Sequence, residues 1–189
     1  MVRCLHLQLC NKYGFKRSKK IRTHSVQEVL ENENAEILVD TRIPTDIKIA
    51  NNKPDIVVRD KKKKEITIIE VGITNQDLLN IVENEKLRKY DLLANELGLI
   101  NKCKTRIIPY VMTWDGVVTT YHKKYIRDLE IQPNVEAYIQ SLVLKKTLES
   151  ISLDYRRGRD ENLTEEETEK AIEKLVQPPR TSQAPEVSC

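Results

Sequence analysis

Two short apolar runs separated by four lysines constrain the fold of this chain more than any other feature of its sequence. The runs are Ile56–Val58 and Ile66–Ile69, both rich in β-branched residues, and Lys61–Lys64 lies between them. Short β-branched runs joined by a turn-sized polar segment predict a β-hairpin. Because both faces of the two runs are largely apolar, we expect the hairpin to lie inside a sheet that helices cover.

A four-residue loop also fixes which residues of the two strands face each other. Facing positions then sum to 125, so Asp60 is opposite Glu65 and Asp55 is opposite Glu70. Directly opposed side chains lie about 4.5–5.5 Å apart at Cβ, and like charges so placed repel each other. A hard divalent cation takes carboxylate oxygens as ligands. By spacing alone, a metal site at this end of the hairpin and a pair of solvated acids are about equally good interpretations.

The segment after the hairpin predicts a helix with a lysine on its apolar side. We expect Gly72 to end the second strand and the helix to run from about Asn75 to Gly98. One stripe of this helix consists of Leu79, Val82, Lys86, Tyr90, Leu93 and Leu97. Lys86 either extends from the edge of the core to solvent or has an acidic partner on the neighbouring sheet, which Asp55 and Glu70 would supply.

Local patterns predict the remaining elements. Ser25 with Glu28 three residues later is typical of a helix start, so we expect a short helix through Glu31. Pro109 places its strand at a sheet edge or a bulge. The other expected elements are a helix over residues 2–11, strands over Ile37–Ile43, Thr105–Met112 and Val117–Tyr121, a helix over residues 134–153 and a weak helix near Glu165–Val176.

Length and composition indicate one domain with a tail. The chain has 189 residues and 39% hydrophobic residues, enough for one core. Its four cysteines have no framework spacing, so we expect reduced thiols. Cys4, His6 and Cys10 are too few for a zinc site, and a buried helix face explains them better. No apolar run has the length of a membrane span, so no membrane contact is expected.

Charge is distributed unevenly along the sequence. Residues 1–27 carry seven Lys and Arg and no acid, whereas residues 159–189 carry four basic and eight acidic residues. We therefore expect a basic N-terminal helix and arm (1–24), a core (25–156) and an acidic, largely disordered tail (157–189). The basic arm favours an anionic partner, with nucleic acid as the usual one. The segment 16–20, KRSKK, is typical of a nuclear import signal, so a nuclear or otherwise intracellular location is expected.

The segments ILVDTRIPTDIKIANNKPDIVVRDKKKKEITIIEVGIT and ENEKLRKYDLLANELG resemble the restriction-like endonuclease domain of site-specific non-LTR retrotransposons, a branch of the PD-(D/E)XK nucleases. The resemblance covers about residues 3–155. It implies an α/β fold with a restriction-endonuclease-like αβββαβ core, in which helices flank a mixed central sheet. The reverse transcriptase and zinc knuckle that precede this domain in that family are not in this sequence, so we expect either a fragment or a stand-alone descendant.

The resemblance also implies a site. Asp55, Glu70 and the Val71 carbonyl would bind Mg²⁺ or Mn²⁺, and Lys86 would be the catalytic lysine. Gly72 stands where the general nuclease signature has lysine, and the retrotransposon branch has the same departure. Supporting roles are expected for Glu31 and Tyr90. Phosphate contacts are expected from Arg17, Lys19, Lys20, Lys62, Lys63 and Lys89, although a lysine-rich hairpin loop is more often a solvated turn.

The implied function is a divalent-metal-dependent DNA endonuclease that hydrolyses phosphodiester bonds and nicks its target. DNA is the expected partner, and the resemblance also admits an associated reverse transcriptase or the RNA of the element. Two alternatives stay open. One is a catalytically silent nucleic-acid-binding or assembly module with the same fold, and the other is a resolvase- or repair-type nuclease acting on branched DNA.

Overall fold

The hairpin predicted from the lysine-separated runs forms the centre of a five-stranded mixed sheet. The structure is a computed structural model that describes residues 1–16 and 20–157. Its strands lie side by side in chain order: β1 (Val29–Glu31), β2 (Ala35–Val39), β3 (Ile56–Asp60), β4 (Glu65–Thr74) and β5 (Lys104–Thr113). Strands β1 to β4 pair antiparallel, and β5 is parallel to β4.

The register of the hairpin is confirmed. Ile56 pairs with Ile69, Arg59 with Ile66 and Asp60 with Glu65, as a four-residue loop requires. Inside that loop the Lys63 N–H donates to Asp60 Oδ1 at 2.8 Å. Lys64 completes the turn with a positive φ of 51°.

Helices cover both faces of the sheet, as the two-sided apolar pattern of the hairpin predicted. The helices are α1 (Val2–Lys12), α2 (Leu79–Lys89), α3 (Asp91–Asn101), α4 (His122–Leu129) and α5 (Pro133–Arg157). One sheet face, with Ile37, Ile56 and Ile69, packs against α1, α4 and α5. The other face, with Val57 and Ile68, packs against α3 and the end of α2. An α/β architecture with a mixed sheet between helix layers is therefore confirmed.

The chain forms two compact units, Met1–Leu148 and Glu149–Cys189. The sheet and both sides of its core belong to the first unit, and residues 149–157 at the end of α5 are the described part of the second. The expected helix near Glu165–Val176 lies outside the described residues. In the part of the chain that the structure describes, none of the helices is both long enough and apolar enough to cross a bilayer.

Two predictions before the hairpin are wrong in detail. The helix expected from Ser25 to Glu31 is absent, and Val29–Glu31 is the edge strand β1, because Val29 and Leu30 pair with Leu38 and Ile37 of β2. The strand expected over Ile37–Ile43 ends earlier, at Val39. Asp40 follows with a positive φ of 50°, which turns the chain out of the sheet.

The helix expected from Asn75 to Gly98 is two helices. The chain leaves helical geometry at Tyr90 (φ −111°, ψ 12°), between α2 and α3. The second helix runs past Gly98 to Asn101 and stops at Lys102, which has the left-handed conformation. Gly98 instead permits close packing, because a methyl group there would lie 3.3 Å from the Cys103 carbonyl oxygen.

Two further strand predictions differ from the structure: the end expected at Gly72 and the strand expected over Val117–Tyr121. Strand β4 continues through Gly72 to Thr74, because its last residues pair with β5. The segment Val117–Tyr121 forms only an isolated bridge, from Val118 to Met112. The expected edge position of Pro109 is confirmed, since β5 is the last strand of the sheet.

Candidate active site

Asp55 and Glu70 come together at the open end of the β3–β4 hairpin. The Asp55 N–H donates to Glu70 Oε2 at 3.3 Å, and Asp55 Oδ2 accepts from the Val71 N–H at 2.7 Å. Glu70 is only 5% exposed. The strand register thus places two carboxylates within one hydrogen-bond network at the point where β3 begins.

Lys86 reaches this pair from helix α2 by crossing the sheet over Gly72. Its Nζ lies 3.2 Å from Glu70 Oε1. A Cβ atom at position 72 would lie 2.5 Å from Lys86 Cε and 3.2 Å from Lys86 Cδ, closer than van der Waals contact allows. Gly72 therefore provides the space in which the lysine side chain lies.

Lys89, one turn beyond Lys86, contacts the same carboxylate. Its Nζ is 2.7 Å from Glu70 Oε1 and lies 4.8 Å from the centre of the Tyr90 ring. Tyr90 is buried, and its hydroxyl donates to the Lys53 carbonyl at 3.1 Å. Tyr90 thus holds the end of α2 against the segment that leads into β3, and its ring contacts Lys89.

The two acids differ in their tendency to ionise. Burial raises the pKa of Asp55, the Val71 N–H opposes that shift, and the charge of Glu70 adds to it. Burial also acts against ionisation of Glu70, but hydrogen bonds and charges from Lys89 and Lys86 outweigh it and lower the pKa of Glu70. Burial alone would lower the pKa of Lys89, but the contact with Glu70 outweighs this effect and raises the pKa to about 12. Neighbouring carboxyl groups whose pKa values move in opposite directions are typical of acid–base sites.

The donor set fits a hard divalent cation. Asp55 and Glu70 supply carboxylate oxygens, the ligands that Mg²⁺ prefers. The Val71 N–H points to Asp55. Because both main-chain polar groups of a strand residue point to the same side, the Val71 carbonyl is expected on that side as well. Burial is the main cause of the raised pKa of Asp55, and the charge of Glu70 adds to it. A bound cation would relieve this repulsion between the two carboxylates.

Other residues proposed for the site lie elsewhere. Glu31 forms an ion pair with Lys61 at 2.6 Å, beside the hairpin loop. This loop, with Lys62 and Lys63, is at the opposite end of β3 from Asp55, about 17 Å along the strand. The structure therefore places Glu31 at the loop end of the sheet, away from Asp55 and Glu70. Lys20 is an exposed residue of the segment after α1, and Arg17 and Lys19 lie outside the described residues.

Sequence reasoning missed two contacts of the site. It assigned Lys89 to phosphate binding, although its spacing of three residues from Lys86 places both lysines on one side of a helix. It also did not assign a role to Lys53, whose carbonyl accepts from Tyr90 and whose Nζ lies 2.8 Å from Asp40 Oδ1. No sequence signal identifies the second contact, because it depends on how the chain turns after β2.

Comparison with protein-family models and with curated proteins found no match to this chain.

Proposed function

We propose that this chain is a divalent-metal-dependent DNA endonuclease, related to the endonuclease domains of site-specific non-LTR retrotransposons. The single observation that carries the proposal is the convergence of Asp55, just before β3, with Glu70 of β4 and Lys86 of α2. The order α1, β2, β3, β4, α2–α3, β5 supports the finer assignment to a restriction-endonuclease-like αβββαβ core, with β1 as an added edge strand.

The chemistry follows from the positions of these groups. Asp55, Glu70 and the Val71 carbonyl would hold one Mg²⁺ or Mn²⁺, which supplies a water of lowered pKa and neutralises charge on the phosphate. In the hydrolysis, the water oxygen would form a bond to phosphorus while the bond to the leaving sugar oxygen breaks, and the proton that the water loses would pass through solvent to that sugar oxygen. Lys86 donates a hydrogen bond to the phosphate oxygens as negative charge develops there. Losing one such donor typically costs about 10²–10³ in rate.

Glu70 has a second task in this proposal, which is to position the lysine. Its Oε1 accepts from both Lys86 and Lys89, and its side chain is almost fully buried. A fixed carboxylate holds two flexible ammonium groups in place before DNA binds. Such preorganisation is what makes an electrostatic contact effective in a transition state.

A catalytically silent nucleic-acid-binding module is the second candidate, and one observation favours it. Lys86 and Lys89 satisfy the buried Glu70 carboxylate without any metal. In that case the acids and lysines would serve the fold, and DNA binding would not depend on divalent cations.

A plasmid-nicking assay with the purified chain tests the proposal. We expect conversion of supercoiled to open-circular DNA with Mg²⁺ or Mn²⁺, and none with EDTA. Asp55→Asn should abolish nicking, whereas Asp77→Asn, an exposed acid just before α2, should retain it. If Asp55→Asn nicks DNA as wild type does, or wild type binds DNA and never nicks it, the endonuclease proposal is wrong.

A further inference from the structure

A second cluster of metal-binding residue types lies far along the chain from the acids. His6 and Cys10 of α1 are four residues apart, so they lie on the same side of the helix. His24 comes from the segment between α1 and β1. One ligand atom of each residue lies within 4.8 Å of the others, and all three side chains are buried. His6 Nδ1 is 2.7 Å from His24 Nε2, and Cys10 Sγ is 3.8 Å from both ring nitrogens of His6.

The separation between Cys10 and His6 is close to that of a tetrahedral zinc site. Zinc binds imidazole nitrogen at about 2.0–2.1 Å and thiolate sulfur at about 2.3 Å, which places neighbouring ligand atoms about 3.3–3.7 Å apart. The two histidine nitrogens are closer than this, at 2.7 Å, which is a hydrogen-bond distance. A metal ion would take the place of this hydrogen bond, and the two nitrogens would have to move apart by about 0.6 Å. A nitrogen–sulfur ligand set favours Zn²⁺ over the hard cations that the acid pair would take.

The surrounding chain explains what such a site would achieve. Between α1 and β1, the described residues 13–16 and 20–28 contain no helix or strand. Ordering a long irregular segment costs conformational entropy. A link from His6 and Cys10 to His24 closes this segment into a loop, so metal binding would fix its path. The same segment includes most of the basic residues near the N-terminus.

We propose that His6, Cys10 and His24 bind one Zn²⁺, which fastens the basic segment to α1. Water would occupy the fourth position, as it does in zinc sites with three protein ligands. Cys4 is also buried on α1, but it is not part of the cluster. It therefore provides a matched control, a buried thiol on the same helix that does not bind the metal.

Cobalt titration of the intact, chelator-treated and reduced chain tests the site. We expect one equivalent of Co²⁺ to give a thiolate-to-cobalt charge-transfer band, and one equivalent of Zn²⁺ to remove it. Excess Mg²⁺ should leave the band unchanged. Zn²⁺ should also raise the Tm of wild type.

Variants locate the ligands. Cys10→Ser should lose the charge-transfer band, His24→Gln should weaken cobalt binding at least about tenfold, and Cys4→Ser should match wild type. Absence of the band from wild type at equimolar Co²⁺ would overturn the proposal, whatever the variants do. Persistence of the band in Cys10→Ser would overturn it as well, and His6 and His24 would then form only a hydrogen-bonded pair.

Discussion

Gly72 has an unusual role for a glycine in a strand, because it makes room for the side chain of another element. The φ angle of Gly72 is not in the positive range, so its backbone conformation does not require glycine. The need for glycine comes from Lys86, whose Cε lies only 2.5 Å from the position that a Cβ atom would take. A sequence reader can see that glycine stands where a nuclease lysine is usual, but only the structure connects that glycine with the lysine on α2.

Gly72→Ala should therefore reduce nicking although no proposed catalytic group is changed. The added methyl group would displace Lys86 from Glu70, and we expect the nicking rate to fall at least about tenfold, since the lost contact belongs to the transition state. In a Lys86→Ala background the same substitution should have little further effect, because the side chain that it displaces is gone. Wild-type nicking by Gly72→Ala would contradict this relationship.

Asp55 and Glu70 should differ in their effect on stability. In the metal-free protein, Asp55→Asn should keep or raise the free energy of unfolding, because it removes a half-buried carboxylate whose pKa is raised and it retains an acceptor for the Val71 N–H. Glu70→Gln should lower stability by about 1–2 kcal/mol, because it weakens the hydrogen bonds from Lys86 and Lys89. Thermal unfolding at pH 7 measures both changes.

The pH dependence follows from the directions of the two pKa shifts. The pKa of Glu70 is lowered on folding, so its stabilising effect is present above the ordinary carboxyl pKa and is lost as the pH falls through the lowered value. The advantage of wild type over Glu70→Gln should therefore shrink in acid. The pKa of Asp55 is raised on folding, so its effect on stability has the opposite sign. The free energy of unfolding of wild type, relative to that of Asp55→Asn, should therefore increase as the pH falls. Equal stability of Glu70→Gln and wild type at pH 7 would contradict the account.

At the scale of elements, the hairpin was the most predictable part of the chain. Its register follows from loop length alone, and a shift by one residue would turn apolar side chains away from the core. The opposition of Asp55 and Glu70 follows from the same register. The short helix expected from Ser25 does not form, because Val29 and Leu30 pair with β2 instead. A local helix-start signal is weaker than this strand pairing.

The break between α2 and α3 could not be predicted from periodicity. The apolar stripe continues through Tyr90, so the pattern alone favours one helix. Tyr90 leaves helical geometry while its hydroxyl bonds to Lys53, a residue 37 positions earlier in the chain. A tertiary contact of this kind has no counterpart in local sequence.

Helix α1 changes how the basic arm must be tested. It places Cys4, Leu5, Leu9 and Cys10 in the core around the sheet, so deleting the N-terminal residues would expose apolar surface. Substitution of the basic side chains keeps the helix. Arg17, Lys19 and Lys20 are the appropriate positions, because all three are predicted to contact phosphate.

Replacing Arg17, Lys19 and Lys20 together by glutamine should weaken DNA binding and reduce its salt dependence. Each lost phosphate contact should reduce the slope of log affinity against log salt concentration by about 0.9. Fluorescence anisotropy with duplex DNA over a range of salt concentrations measures this slope. Replacing Lys123 and Lys124 of α4 by glutamine provides a control for removal of charge at positions without a predicted contact. Equal slopes for wild type and the arm variant would contradict a role of the arm in DNA binding.

At the scale of the whole molecule, the acid–lysine site and the lysine-rich loop lie at opposite ends of the hairpin. A separation of about 17 Å means that Lys62 and Lys63 do not take part in the chemistry. The predicted contribution of that loop to DNA binding is a contact with the phosphate backbone, which would give affinity without sequence information. The two ends of the hairpin can therefore be tested by separate variants.

The central claim is that Lys86, held by Glu70 across Gly72, acts on the phosphate during hydrolysis. The most direct test is the single-turnover nicking rate of Lys86→Met at saturating Mg²⁺ and DNA, compared with wild type and with Lys123→Met. Methionine is a good helix former, so α2 and its packing should persist. The account predicts a fall of about 10²–10³ in rate with unchanged DNA affinity, and no change for Lys123→Met. A wild-type rate from Lys86→Met would contradict the central claim.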